Sequence, residues 1–274
     1  MKYKNVWAVY FSATGTTKKI VTEIAERAAQ RLAVPLKEFD FTLPGARESA
    51  RAFSADDFVV FGTPVIAGRV PNVLLKYLDT LSGGGAAATA VVSYGNRDYD
   101  DALIELRDIL EKTGFHTIAG AAFIGEHSFS EVLAAGRPDS ADLALADGFA
   151  EKVADKAASL TEYAGQPVHV SGTPFPYRGY YQPRDRKGVP VDIRKVKPVT
   201  GPSCDDCKIC ADECPMGSID KDDVKEIPRI CIKCCACVKK CPKKAKYFDD
   251  AAFLYHKHEL EEGFARRAKP ELFL

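Results

Sequence analysis

The feature that most constrains this chain is the placement of its cysteines. All nine lie between Cys204 and Cys241, and residues 1–203 contain none. A secreted scaffold held by disulfides is usually short and has cysteines along its whole length, whereas here one dense segment follows a long segment without any. The spacing therefore predicts a ligand-binding segment joined to a separate folded body.

The cysteine-free body alternates two kinds of apolar pattern. Short buried runs, typical of strands, alternate with runs at helical spacing. Five apolar strands separated by helices predict an α/β fold with a doubly wound, five-stranded parallel sheet, and ligands of such sheets bind outside the carboxyl ends of the strands. The predicted strands lie at 6–10, 34–38, 58–61, 89–93 and 119–124, and the helices at 16–32, 71–81, 98–113 and 140–160.

Three loops with unusual residues leave the carboxyl ends of these strands: SATGTT after the first, GTPVIAGR after the third and SYGNRDY after the fourth. In the first loop, Ser12, Thr14, Thr16 and Thr17 stand where a helix begins. Their hydroxyls, with the unpaired N–H groups of the helix start, predict an anion site for a phosphate. The alternative is that Ser12 only caps the helix, but capping needs one hydroxyl and this loop offers four.

The common nucleotide loops do not match this segment. A triphosphate loop needs G-x-x-x-x-G-K-[ST], and no lysine directly follows Gly15. A dinucleotide loop needs G-x-G-x-x-G after a strand, whereas the near match at Gly83-Gly84-Gly85 comes before one. We interpret that glycine run as a linking turn.

The S-x-T-G-x-T loop directly after the first strand resembles the FMN-phosphate loop of the flavodoxins, and the order of elements agrees over roughly residues 4–162. The resemblance implies that residues 12–17 hold the phosphate, that residues 63–69 lie along one side of the isoalloxazine and that residues 93–99 lie along the other. Tyr94 and Tyr99 are candidates to stack on the flavin, although either could instead be a packing residue. The implied FMN-binding residues are Ser12, Ala13, Thr14, Gly15, Thr16, Thr17, Thr63, Pro64, Val65, Ile66, Gly68, Arg69, Ser93, Tyr94, Gly95, Asn96, Arg97 and Tyr99.

The cysteine segment contains one motif twice. CDDCKICADECP begins at Cys204 and CIKCCACVKKCP at Cys231, and both have the form C-x₂-C-x₂-C-x₃-C-P. This spacing resembles bacterial two-cluster ferredoxins, in which the fourth cysteine of each run binds the other cluster. The resemblance implies two [4Fe–4S] clusters in a second, small α+β ferredoxin-like domain. One cluster would be held by Cys204, Cys207, Cys210 and Cys241, and the other by Cys214, Cys231, Cys234 and Cys237.

Zinc is the competing interpretation of the cysteines. Eight cysteines could hold two tetrahedral zinc ions, but structural zinc sites pair C-x₂₋₄-C units across a longer gap and have no use for a triple run followed by Cys-Pro. Cys235 is the ninth cysteine, and we interpret it as a small packing residue and not as a ligand.

Composition limits the remaining possibilities. At 274 residues, the chain has room for two domains, and its formal net charge is zero. Residues 167–200 carry seven basic and two acidic side chains, but without a recognisable module this does not predict nucleic-acid binding. No apolar run approaches the roughly 20 residues of a membrane helix, and the run after Lys4 is too short for a signal-peptide core. We expect a cytoplasmic protein.

The predicted organisation has three parts: a flavodoxin-like FMN domain at 1–165, a connecting arm rich in proline and aromatic residues at 166–200, and a two-[4Fe–4S] ferredoxin domain with a helical tail at 201–274. We expect the arm to be semi-ordered and packed across both domains. In the tail, His256 and His258 are expected to be exposed. His127 follows the last strand and could lie near the flavin or the domain junction, or be an ordinary loop histidine.

These expectations favour an electron-transfer protein that passes electrons between the clusters and FMN in low-potential anaerobic metabolism, with other redox proteins as donor and acceptor. The alternatives are an FMN-dependent reductase of a small molecule and a non-catalytic redox sensor. No general acid, base or nucleophile stands out in the sequence.

Overall fold

A computed structural model of the protein describes residues 3–160, 163 and 165–274. Residues 1, 2, 161, 162 and 164, which fall inside the predicted first domain, lie outside the described residues. The first part of the chain contains five strands and four α-helices. They are β1 (Asn5–Tyr10), α1 (Thr16–Leu32), β2 (Leu36–Asp40), β3 (Asp57–Pro64), α2 (Asn72–Leu78), β4 (Ala87–Tyr94), α3 (Ala102–Lys112), β5 (His116–Ile124) and α4 (Ser140–Ser159). They alternate except between β2 and β3, where a short 3-10 helix (Pro44–Arg47) takes the place of an α-helix.

The five strands form a parallel sheet in the order β2-β1-β3-β4-β5. This is the strand order of the flavodoxin-like doubly wound fold, so the predicted fold class of the body is confirmed. Apolar residues of α1 and α4 cover one face of the sheet, and those of α2 and α3 cover the other. Every residue of β4 is buried, as expected for a central strand with helices on both faces.

The cysteine segment forms a smaller unit. It contains the two-stranded sheet β6 (Val199–Thr200) and β7 (Lys246–Tyr247), with the one-turn helices α5 (Ile209–Asp212) and α6 (Ala236–Lys239) between the strands. Its own small core includes Cys210, Ile219, Val224 and Ile227. Such a small apolar core gives this unit little stability of its own.

The two units are packed together. Ala236 belongs to the core cluster of the large sheet, and Ile232 and Cys234 pack against it. Lys239 donates hydrogen bonds to Glu126 Oε1 and to Ser130 O, both at 2.6 Å. The cysteine unit therefore lies against the loop that leaves the carboxyl end of β5.

The C-terminal tail returns to the large sheet. After α7 (Ala251–Gly263), the strand β8 (Glu271–Phe273) pairs antiparallel with β5 and adds a sixth strand at the edge. Asn96 holds the chain between α7 and β8, because its Nδ2 donates to Phe264 O and Arg266 O at 2.6 Å. Three residues are too few for an alternating pattern, so the sequence did not predict this strand.

The helix α7 corresponds to the predicted tail helix, but one expectation about it is wrong. His258 is exposed as expected, whereas His256 is only 6% exposed. Phe253, His256 and Leu260 form the buried face of α7. Their spacing of three and four residues is the helical signal that could have placed His256 inside. Within the described residues, no helix combines the length and apolar character that crossing a membrane requires.

The arm is fixed to the body at the start of α3. Asp101 is fully buried, and its carboxylate accepts hydrogen bonds from the N–H groups of Thr173 and Arg178 at 2.8 Å and from the Arg178 guanidinium at 2.6 Å. Burial raises the pKa of Asp101, but these hydrogen bonds outweigh it and lower the pKa to about 2. The stabilisation is therefore present above the ordinary aspartate pKa of about 3.9 and is lost as the pH falls through about 2.

We expect Asp101→Asn to loosen the arm, because the side-chain NH₂ group of asparagine would face the N–H donors of Thr173 and Arg178. Loss of the charged acceptor should cost about 1–3 kcal/mol, which corresponds to roughly 5- to 150-fold faster amide exchange in residues 173–178. Hydrogen exchange at pH 7, followed by mass spectrometry, measures this. Asp155→Asn, which removes an exposed partner of Arg31, is the control and should leave the arm unchanged. Equal exchange in Asp101→Asn and wild type would contradict the anchoring role.

Candidate functional site

A cavity of about 750 Å³ lies at the carboxyl ends of the parallel strands. Its size is within the usual range for small-molecule and cofactor sites. One wall consists of the three loops that follow β1, β3 and β4, as the sequence predicted for the ligand site. The loop after β5, the arm, the cysteine unit and α7 complete the lining.

The loop after β1 leads into α1 through Gly15, whose φ of 89° lies in the left-handed region that favours glycine. Ser12 Oγ accepts a hydrogen bond from Lys18 N at 2.9 Å, so this hydroxyl caps the helix. Thr14, Thr16 and Thr17 line the cavity instead. The helix start also leaves the N–H groups of Thr16 and Thr17 without intrahelical acceptors. One hydroxyl of the four therefore caps, and three remain at the helix start, where we predict an anion site.

A hydrogen bond joins two of these loops. Thr17 Oγ1 and Ser93 Oγ are 2.7 Å apart, and both residues are buried. This contact fixes the loop after β1 against the end of β4. It also orients two hydroxyls at the same side of the cavity.

The structure brings two thirds of the predicted FMN-binding residues to the cavity and places the rest around it. Those that line the cavity are Ala13, Thr14, Thr16, Thr17, Pro64, Val65, Ile66, Gly68, Ser93, Tyr94, Gly95 and Arg97. Those that do not line it are Ser12, Gly15, Thr63, Arg69, Asn96 and Tyr99.

Most of the six residues outside the lining have other contacts. Arg69 pairs with Glu105 through two hydrogen bonds of 2.8 and 2.6 Å, and its guanidinium lies 4.7 Å from the Tyr177 ring. Asn96 holds the tail, as described above. Tyr99 donates a 2.7 Å hydrogen bond to Glu271 in β8, and its ring packs on Tyr94 with the centroids 5.5 Å apart. Of the two tyrosines, Tyr94 is the one at the cavity.

The loop after β5 approaches the loop after β4 closely at one glycine. A Cβ on Gly95 would lie 2.3 Å from His127 Cδ2, which only a glycine avoids. The sequence left the position of His127 open, and the structure places it in the cavity lining. Its Nδ1 accepts a hydrogen bond from Phe129 N at 3.1 Å, so Nε2 carries the proton when the ring is neutral. Burial, then His256, Lys239 and Arg97, lowers the pKa of His127 to about 4.

The opposite wall contains residues that the sequence did not assign to the site. The arm contributes Tyr180 and Tyr181, the cysteine unit contributes residues 230–234, and α7 contributes His256 and Leu260. Burial and the nearby Arg97 lower the pKa of His256 to about 4. The arm's aromatic residues were the only sequence signal that this side of the cavity is covered.

The cysteines line two further cavities. Cys204, Cys207, Cys210 and Cys241 line one of them, and no other cysteine does. Cys214, Cys231, Cys234 and Cys237 line the other, together with Cys235. Each set takes three thiols from one run and the fourth from the other run. Within the residues that the structure describes, no group of three or more His, Cys, Asp or Glu side chains is arranged to hold a metal ion.

Backbone N–H groups point at several of these sulfurs. Asp206 N lies 3.4 Å from Cys204 Sγ, Ser218 N lies 3.3 Å from Cys214 Sγ, and Ala245 N lies 3.2 Å from Cys241 Sγ. Burial raises the pKa of Cys241, but backbone hydrogen bonds outweigh it and lower this pKa below its ordinary value. N–H groups at these distances stabilise negative charge on sulfur.

Cys235 is buried like Cys237 of the same run, and only its left-handed backbone sets it apart from the other cysteines of that run. It is 4% exposed, its φ of 61° is left-handed, and burial raises its pKa well above the ordinary value. Its Sγ is 3.6 Å from Lys233 O. Cys235 also lines the cavity of the second thiol set, so its packing role stays a prediction.

Two cysteines connect the cavities. Cys231 and Cys234 line both the 750 Å³ cavity and the cavity of the second thiol set. The first thiol set has no residue on the large cavity. The second set is therefore next to the large cavity, and the first set lies further from it.

Comparisons with known proteins are limited to structural likeness. No protein-family model matches the chain, and no curated protein matches it. Solved structures that match include a flavodoxin from the domain Archaea, with 18% identity over 56% of this chain and 99% of that one and a TM-score of 0.41. A flavodoxin of Streptococcus pneumoniae TIGR4 matches with 20% identity over 56% and 99%, at a TM-score of 0.38.

A further match is the apo form of an NADH:FMN oxidoreductase, with 17% identity over 60% of this chain and 96% of that one and a TM-score of 0.44. Since these TM-scores are below 0.5, the fold assignment rests on the strand order of the sheet itself.

The cysteine grouping predicts unequal effects of two substitutions. Cys241→Ser should remove the cluster of the first thiol set, leaving about four of about eight irons per chain, because its sulfur belongs with Cys204, Cys207 and Cys210. Cys235→Ala, the matched control in the same segment, should keep about eight. Iron and acid-labile sulfide analysis of the anaerobically purified variants measures this. Loss of iron from Cys235→Ala would show that the ninth cysteine is a ligand.

Proposed function

We propose that this chain is an electron-transfer protein that holds FMN in the large cavity and two [4Fe–4S] clusters in the two thiol-lined cavities. The observation that carries the proposal is that Cys231 and Cys234 line both the large cavity and one thiol-lined cavity. A redox centre held by these two thiols would be adjacent to a ligand in the large cavity.

The large cavity suits FMN at both ends. Thr14, Thr16 and Thr17 offer hydroxyls beside unpaired helix N–H groups, which is the chemistry of a site for a terminal phosphate. Pro64, Val65, Ile66 and Tyr94 offer apolar surface for a flat ring system. When bound, FMN would supply a centre that exchanges one or two electrons, whereas iron–sulfur clusters exchange one at a time.

The thiol sets suit four-iron clusters. One cavity has four thiols, the ligand number of a [4Fe–4S] cluster, and the other has the four thiols of the second set together with Cys235; each set of four combines the two runs in the way that bacterial two-cluster ferredoxins do. The backbone N–H groups near Cys204, Cys214 and Cys241 would stabilise the charge of a bound cluster. A zinc site would instead pair C-x₂₋₄-C units, which this grouping does not do.

A redox partner protein would exchange electrons at the surface of the molecule that contains the first thiol set. Cys207 is exposed, and the first thiol set has no residue on the large cavity. Electrons from a low-potential donor would enter or leave through the set that contains Cys207. We therefore propose redox partner proteins for this side of the molecule, in anaerobic metabolism.

A reductase of a small molecule is the second candidate function. The wall of the large cavity opposite the loops after β1, β3 and β4 carries His127 and His256, which an electron carrier does not need. Polar side chains on that wall could bind a substrate next to the flavin.

The cofactor content of the anaerobically purified protein tests the proposal. We expect FMN, and not FAD or a nicotinamide, with about eight irons and about eight sulfides per chain. Extraction of the flavin, metal analysis and the visible spectrum measure all of these. Zinc in place of iron, or FAD in place of FMN, would contradict the assignment.

Thr14→Val tests the phosphate end of the cavity separately. Each lost hydrogen bond to a charged group is worth about 1.5–3 kcal/mol, so FMN should bind roughly 10- to 100-fold more weakly. Thr22→Val is the control, because Thr22 lies on the exposed side of α1 and its hydroxyl bonds only to the helix backbone. FMN titration of the flavin-free variants measures both affinities, and equal weakening in the two would contradict the phosphate assignment.

A further inference from the structure

Four side chains from separate segments meet at the large cavity. Arg97 comes from the loop after β4, His127 from the loop after β5, Tyr181 from the arm and His256 from α7. The Arg97 guanidinium lies 4.1 Å from the centroid of the Tyr181 ring, and the Tyr181 and His256 rings are 6.0 Å apart. The body, the arm and the C-terminal helix α7 therefore all contribute side chains to this part of the cavity.

His256 has no protein partner that explains its position. It is 6% exposed and lines the cavity, and in the described part of the chain neither ring nitrogen makes a hydrogen bond to protein. Its neighbours are the rings of Phe129 and Tyr181. Because His256 lines the cavity, a ligand there can supply the hydrogen bond that the protein does not.

The other members of the wall also present hydrogen-bond donors. His127 accepts at Nδ1, which leaves its Nε2–H to face a ligand. The Tyr181 hydroxyl has no hydrogen-bond partner among the described residues. The Arg97 guanidinium pairs with Asp100 and adds positive charge.

The carboxylates at the cavity are already engaged. Glu126 accepts from Lys239 Nζ at 2.6 Å and from Gly136 N at 3.0 Å. Asp98 accepts from Asp100 N at 2.9 Å, and Asp192 pairs with Arg194 at 2.7 Å. Free donors therefore predominate at this wall, and they suit a ligand with several acceptor oxygens.

We propose that Arg97, His127, Tyr181 and His256 bind a small carboxylate or another small oxyanion beside the flavin. This site would bind a substrate of the reductase candidate. The inference rests on the proposed function, because it assumes that FMN lies along the wall formed by the loops after β1, β3 and β4. The site differs from the phosphate end of the cavity, because none of its four residues belongs to the loop after β1. Binding alone is proposed.

The test is an anion titration of the full-length protein loaded with FMN. Acetate is the carboxylate probe and sulfate the inorganic oxyanion probe, and the perturbation of the flavin absorbance reports binding. We expect saturable binding of one or both probes. Tyr181→Phe, which removes a single hydroxyl, and His256→Phe should each weaken it roughly 10- to 100-fold. His258→Phe is the matched control on the exposed side of α7 and should bind like wild type.

Retention of FMN is measured in every variant. It should be unchanged in Tyr181→Phe and His256→Phe, because neither residue belongs to the loops after β1, β3 and β4 that are assigned to the flavin; Arg97, which belongs to the loop after β4, is not substituted. Three results would overturn the inference: no saturable binding of either probe, equal binding in all variants, or loss of FMN with unchanged anion affinity in Tyr181→Phe. Absence of FMN from the wild type would contradict the proposed function instead. Calorimetric titration of the flavin-free protein with the same two anions would then still decide whether the site exists.

Discussion

The arrangement of the cavity depends on two carboxylates of the α3 segment. Asp101 holds Arg178 of the arm, and Glu105 holds Arg69, whose guanidinium also donates to Arg178 O at 2.6 Å. Both carboxylates are buried, so loss of either partner would leave an uncompensated charge inside the protein. These contacts place Tyr180 and Tyr181 over the carboxyl ends of the strands, and the cysteine unit and α7 pack around them. The position of the arm beside the cavity follows from this anchoring.

Much of the fold was accessible from the sequence because the body follows simple rules. Buried strands that alternate with amphipathic helices leave one compact solution, the doubly wound sheet, and polar loops at the carboxyl ends mark its ligand side. The repeated cysteine run likewise indicated how the thiols group. Thr14, Thr16 and Thr17 were placed at the cavity for the reason expected, their position at a helix start.

The remaining features depend on contacts between distant segments, which a local pattern does not encode. Arg69, Asn96 and Tyr99 resemble ligand-binding residues in their loops, but Arg69 holds the arm and the other two hold the C-terminal tail. β8 is too short to show a period, and only its pairing with β5 makes it a strand. His256 was expected outside although its spacing from Phe253 and Leu260 places it on the apolar face of α7, because that face is buried only by contacts with distant segments. The wall opposite the predicted flavin loops arose entirely from such contacts.

The central claim is that the cysteine unit is docked at the flavin side of the sheet and not merely tethered to it. The most direct measurement is stopped-flow reduction of the flavin in the anaerobic, fully loaded protein by a one-electron donor, across a series of protein concentrations. In the proposed arrangement, a cluster held by the docked second thiol set would pass electrons to FMN within one molecule, so the rate of flavin reduction after cluster reduction should not change with protein concentration. A rate that rises in proportion to protein concentration would show that electrons pass between separate molecules, and it would contradict the docked arrangement.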